Sequence, residues 1–164
     1  METILIIPIA IVLIILSIQD YKSMLVSSVY LSVLFILSNI YIYLSSNPLD
    51  MMNNFYFAYT MLGIVVGIEL LTTTFMQSIM AKYNSKYEDL ALLGEADYIL
   101  IFTVSAVLNS LLLVSIALLL HAVFSFIYDI IINKRENSHM PMFPTTTLSL
   151  FIIYIIGDFI KDFK

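Results

Sequence analysis

The stretch YILIFTVSAVLNSLLLVSIALLLHAVFSFIYDIII, residues Tyr98 to Ile132, decides the fold. As one straight helix at 1.5 Å per residue it would measure about 52 Å. Crossing the bilayer's hydrocarbon core of about 30 Å takes about 20 residues, so the stretch is too long for one span and short for two. Asn109-Ser110, the polar interruption, divides it. Upstream lie a polar segment, Lys82 to Glu95, and an apolar run from about Phe57 to Met80 that carries Gly63, Gly67 and Glu69. Earlier still are runs over about Leu25 to Leu44, closed by a turn at Asn47-Pro48, and Thr3 to Ile18. The first run has neither the basic flank nor the small-residue cleavage site of a signal peptide and reads as a mature helix. Downstream, Met140-Pro141-Met142-Phe143-Pro144 punctuates the chain before a last run, Thr145 to Ile156. These runs predict an all-α, polytopic membrane bundle of about six transmembrane helices, a single domain over residues 1–164.

Composition agrees. Of 164 residues, 61% are hydrophobic and 12% charged, against about 45–50% and 25% in soluble domains. This excludes a water-soluble globule, a disordered chain, collagen and a coiled coil. The net charge of -5 offers no basic footprint for nucleic acid. Without cysteine there is no disulfide, thiol nucleophile or Cys-ligated zinc. His121 and His139 are too far apart in sequence for a convincing metal site, so neither metal nor cofactor is expected.

Basic residues set the orientation, because cytoplasmic loops are enriched in Lys and Arg. Lys22 follows the first span, Lys82 and Lys86 the third, and Lys134 and Arg135 the divided stretch. Dividing it at Asn109-Ser110 gathers these five cations on the cytoplasmic side and leaves the N-terminus outside. Only Lys161 and Lys164, at the C-terminus, go against this pattern. The basic loops most simply set topology and meet anionic lipid.

In this topology Asp20, closing the first span, and Asp97, opening the fourth, both lie at the cytoplasmic boundary. Carboxylates at the edge of a membrane bundle are costly and mark function. Two that converge at about 3 Å share one proton. The ionised member can then take a proton from water while the protonated one hydrogen-bonds a scissile carbonyl. Such a pair hydrolyses a peptide bond without a metal or a side-chain nucleophile. The alternative for Asp20 is a polar helix end, and for Asp97 a helix cap complementing the dipole.

The segment Asp20-Tyr-Lys-Ser-Met-Leu-Val-Ser-Ser28 resembles the first motif of the type IV prepilin and preflagellin peptidases, an Asp with a basic residue two on and then Ile-Pro-Asn. Lys22 and Val26 fit, whereas Ser27 and Ser28 replace Pro and Asn. Gly94-Glu95-Ala96-Asp97 is similar to the family's second motif, Gly-x-Gly-Asp or Gly-x-hydrophobic-Asp, with Ala96 in place of the commoner Gly. Pro141-Met142-Phe143-Pro144 is similar to the Pro-Phe-Gly-Pro segment before the final helix and keeps its Pro-x-x-Pro spacing. The resemblance implies an aspartic endopeptidase of the plasma membrane with Asp20 and Asp97 as its catalytic pair. Its substrate would be a membrane-embedded prepilin, pseudopilin or preflagellin whose leader lies in the cytoplasm. Gly94 would let the backbone turn before Asp97. The chain would be a short form, lacking the cysteine-bearing N-terminal segment and methyltransferase activity of larger members.

The remaining polar residues have plainer readings. Glu69 reads as a protonated, hydrogen-bonded carboxyl inside the third span, Glu95 as a solvated loop residue, and His121 as a helix–helix hydrogen-bonding residue. Gly63 and Gly67 form a Gly-x-x-x-Gly pattern suited to close packing, either within the chain or across a homodimer seam. The segment from Ala81 to Glu95 is expected to move to admit substrate. Two other functions fit the composition: a small cation or proton transporter using Asp20, Glu69 and Asp97, and a non-enzymatic scaffold of a pilus or secretion machine.

Overall fold

Helices account for nearly all of the described residues. The structure, a computed structural model, describes residues 2–23, 26–44, 48–80, 95–131 and 142–161. Among the described residues there are six helices and no strand: α1 (Glu2–Ser23), α2 (Ser28–Tyr43), α3 (Pro48–Met80), α4 (Glu95–Leu108), α5 (Leu111–Ile131) and α6 (Met142–Lys161). Gly94, Pro141, His139 and the cations Lys82, Lys86, Lys134, Arg135 and Lys164 lie outside the described residues, as does most of the segment expected to move.

The long apolar stretch divides where its two polar residues fall. Asn109 takes a φ of 41°, left-handed backbone that Asn tolerates better than other non-glycine residues. Its Nδ2 donates to Asn54 Oδ1, which pins the α4–α5 turn to the first turns of α3. The helices outrun the apolar runs at several ends: α1 continues to Ser23, α4 begins at Glu95, read as a loop residue, and α6 continues to Lys161. At the starts of α3 and α6 proline explains the difference. Pro48 opens α3 and Pro144 sits in the first turn of α6, instead of each standing in a turn before the helix. A proline there gives up only an N–H that has no intrahelical partner.

Side-chain contacts fix the helix directions. Asn54 meets Asn109 and Tyr59 meets Phe102, so α3 runs antiparallel to α4. Phe35 meets Phe102 and Ser38 meets Thr103, so α2 runs parallel to α4 and antiparallel to α3, to which Tyr59 ties it by donating to Asn39 Oδ1 at 3.0 Å. Asp20 with Phe143 and Ser17 with Thr147 pair α1 and α6 antiparallel. Consequently the C-terminal ends of α1, α3 and α5 share one end of the bundle with the N-terminal ends of α2, α4 and α6. The main core draws on all six helices, including Leu13 and Leu16 of α1, Leu34 of α2, Met61 of α3, Leu100 of α4 and Phe143 of α6.

The exterior is as apolar as the core. Ile4, Ile7, Ile11, Ile14 and Ile18 form an exposed stripe along α1, opposite the buried Ile9, Val12, Leu13 and Leu16. A helix apolar on every face suits a membrane rather than water. Of the six transmembrane helices expected, two among the described residues, Ile4–Ser23 and Pro48–Thr74, are long and apolar enough to cross a membrane by length and composition. Ser28–Tyr43, Ala96–Leu108, Leu111–Ile127 and Phe143–Ile156 are shorter apolar helices; α2 and α4 are about 24 and 21 Å long at 1.5 Å per residue.

Asn109 supplies the test of this architecture. Asn109→Val places a β-branched residue at positive φ and removes the bond to Asn54, and is expected to cost about 2–3 kcal/mol. Asn109→Gly keeps the turn and is expected to lose only the hydrogen bond, about 1 kcal/mol. Thermal unfolding in detergent, followed by circular dichroism, checks the order; equal melting of the two variants would contradict the strained turn.

Candidate active site at the shared helix end

Asp20 and Asp97 come to the same end of the bundle, as the sequence reading expects. Asp20 lies in the last turn of α1 and is buried, at 7% exposure. Its Oδ2 accepts the backbone N–H of Phe143 at 3.0 Å. That N–H belongs to the first turn of α6, where backbone donors have no intrahelical acceptor. The carboxylate of one helix thus caps another. The next residue, Pro144, has no N–H to satisfy, so this part of the helix end needs little besides Asp20. The proline of the Pro-x-x-Pro segment therefore works inside the helix, next to the capped amide.

Asp97 stands in the first turn of α4, half-buried and engaged in polar interaction. Ala96 beside it packs against the main core, which holds this turn to the bundle. Lys22 is exposed in the last turn of α1. The Ser27 N–H donates to Gln19 Oε1 at 3.3 Å, a bond a proline could not form, and so ties the start of α2 to the end of α1.

Glu69 is buried at 8% exposure, but not midway along the bundle. The pairs Asn54–Asn109 and Tyr59–Phe102 set the α3–α4 register and bring Glu69 level with the start of α4. Three carboxylates therefore share one end. The packing role read for Gly63 and Gly67 does not hold within the described residues, because a Cβ at either would meet no atom within 4 Å. Among the described residues no group of three His, Asp or Glu side chains could hold a metal.

The sequence reading gave no role to the hydroxyl-rich seam beside Asp20. Thr145, Thr146, Thr147 and Ser149 of α6 are all buried. Ser17 Oγ spends its proton on Leu13 O at 2.7 Å, so Thr147 donates to Ser17 across the 3.0 Å gap. On the other side, His121 Nδ1 lies 2.8 Å from Thr145 Oγ1 and 3.0 Å from Thr146 Oγ1. His121 is thus the helix–helix hydrogen-bonding residue expected. The signal was present in three consecutive threonines within an apolar run, since buried hydroxyls must find partners on neighbouring helices. Outside the bundle, a groove of about 450 Å³ runs between α1 and α6, lined by Ile14, Ile18, Tyr21, Lys22, Leu148 and Phe151 among others.

Asp20 thus has a structural role separable from any chemistry. Asp20→Ala removes the cap and is expected to cost about 0.5–2 kcal/mol, whereas Asp20→Asn retains an acceptor oxygen and is expected to melt close to wild type. Thermal melts of the two variants check this; equal loss in both would show that the Phe143 bond contributes little.

Compared with family models, curated proteins and solved structures, the chain matches none.

Proposed function

We propose that the chain is a six-span aspartic endopeptidase of the plasma membrane. Its substrate is a membrane-embedded, prepilin-like protein whose leader peptide it cuts at the cytoplasmic face. The observation that carries the reading is the Asp20–Phe143 bond. It joins the first and third motif segments, far apart in sequence, at the end of the bundle where Asp97 of the second motif also lies.

Asp20, oriented by the Phe143 N–H, is one carboxylate of the pair. It is the base: it takes a proton from water as the water oxygen attacks the scissile carbonyl carbon. Asp97, protonated, donates to the carbonyl oxygen as it gains charge. In the resulting tetrahedral diol the C–N bond breaks as the leaving amine takes a proton, giving a free carboxyl and a new amino terminus. The apolar groove beside Asp20, with Lys22 at its edge, suits a substrate that is itself a membrane helix with a polar flank. The resemblance supplies the substrate class.

A transporter would need acidic groups distributed through the membrane. Asp20, Asp97 and Glu69 instead concentrate at one end, which favours surface chemistry over a conduction path. A scaffold would tolerate loss of either aspartate.

Co-expression with a panel of prepilin-like substrates tests the reading. Wild type is expected to cleave the leader, and Asp20→Asn and Asp97→Asn each to abolish cleavage while retaining wild-type helicity. Cleavage surviving in both variants, or none by wild type across the panel, would refute the peptidase. A dyad also implies a rate that falls on both sides of a pH optimum, with apparent pKa values that belong to the pair. A profile flat from about pH 4 to 9 would contradict this acid–base division.

A further inference from the structure

Successive residues of a helix point about 100° apart, so three adjacent hydroxyls ordinarily face three directions. In α6 they serve two neighbouring helices. Thr145 and Thr146 converge on one atom, His121 Nδ1 of α5, at 2.8 and 3.0 Å, while Thr147 turns to Ser17 of α1 at 3.0 Å. Ser125, one turn beyond His121, donates to Thr145 Oγ1 at 3.4 Å. The imidazole therefore sits between two adjacent side chains, and rotating α6 by a single residue would break both contacts. Thr145, Thr146 and Thr147 are each less than a tenth exposed, so an unmade bond here leaves a polar group without water to replace its partner. The rotation and height of α6 are thus fixed at its second turn, immediately beyond Phe143, whose N–H meets Asp20.

We propose that His121, acting through Thr145 and Thr146, is a positioning residue for Asp20: it holds the first turn of α6 where the Phe143 N–H reaches the Asp20 carboxylate. The inference rests on the peptidase reading for its effect on rate, but its structural half stands apart from that reading. His121 does not touch the reacting atoms. It contributes by keeping the base in one orientation, and displacement of a reacting group by about 1 Å can cost about a hundredfold in rate.

The test uses the full chain in one detergent with two measurements: exchange of the Phe143 amide hydrogen, and kcat and KM for a cleaved prepilin-like substrate. The variants are His121→Ala, His121→Asn, whose amide keeps a hydrogen-bonding group near the Nδ1 position, and the double variants Thr145→Val/Thr146→Val and Thr145→Ser/Thr146→Ser. Thr146→Val alone leaves Thr145 to hold His121 and keeps the test open should the valine pair not fold. His121→Ala and the valine pair are expected to speed Phe143 exchange and to lower kcat about tenfold or more with KM unchanged. His121→Asn and the serine pair are expected to recover most of both. Unchanged Phe143 exchange in His121→Ala and the valine pair overturns the proposal, as does a serine pair as impaired as the valine pair. Should wild type cleave nothing, the peptidase reading fails by itself, and the exchange measurement still decides whether His121 sets the contact between α6 and Asp20.

Discussion

A carboxylate on one helix completing the open end of another is the interaction on which this structure depends. Asp20 Oδ2 accepts the Phe143 N–H at 3.0 Å inside the protein, at 7% exposure. A backbone N–H left without an acceptor in such a place costs about 1–3 kcal/mol, and a buried carboxylate without a donor costs more. The bond satisfies the Phe143 N–H and one oxygen of Asp20 together, and so ties α1 to α6 at this end. The register that the contact sets runs along the pair, through Ser17 and Thr147 one turn deeper.

The same contact links stability to the proposed chemistry. An aspartate that only capped a helix could be replaced by asparagine at little cost; an aspartate that takes a proton from water could not. The two roles coexist because the cap uses one carboxylate oxygen. The bundle gathers Asp20, Asp97 and Glu69 toward one end, while the amide pair of buried Asn54 and exposed Asn109 lies toward the other. Hydroxyl and imidazole contacts among α1, α5 and α6 then hold the capped helix at a fixed height.

Much of this was legible in the sequence, and what was not has identifiable causes. The helical class, the order of the segments and the break at Asn109-Ser110 follow from apolar run lengths and one polar interruption. The common end of Asp20 and Asp97 follows from counting spans. Pro48 and Pro144 misled because a proline ends one segment or begins the next with equal ease, and here each lies inside the first turn. Glu69 does fall within the apolar span Pro48–Thr74, as its run implies, but its level relative to α4 is hidden by helices of unequal length, 33 residues in α3 against 14 in α4. Gly63 and Gly67 fit a packing pattern, yet spacing alone does not say which face meets a neighbour. The threonine seam was hidden because its meaning depends on His121, which lies on another helix.

The central claim is that Asp20 and Asp97 work as one pair across the end of the bundle. Because the chain has no cysteine, Asp20→Cys/Asp97→Cys carries the only two thiols, and a short bismaleimide applied to membranes holding it reads their separation directly. The account predicts an intramolecular cross-link that is absent from either single variant. Two thiols that both react with a small maleimide yet never cross-link within one chain would contradict it.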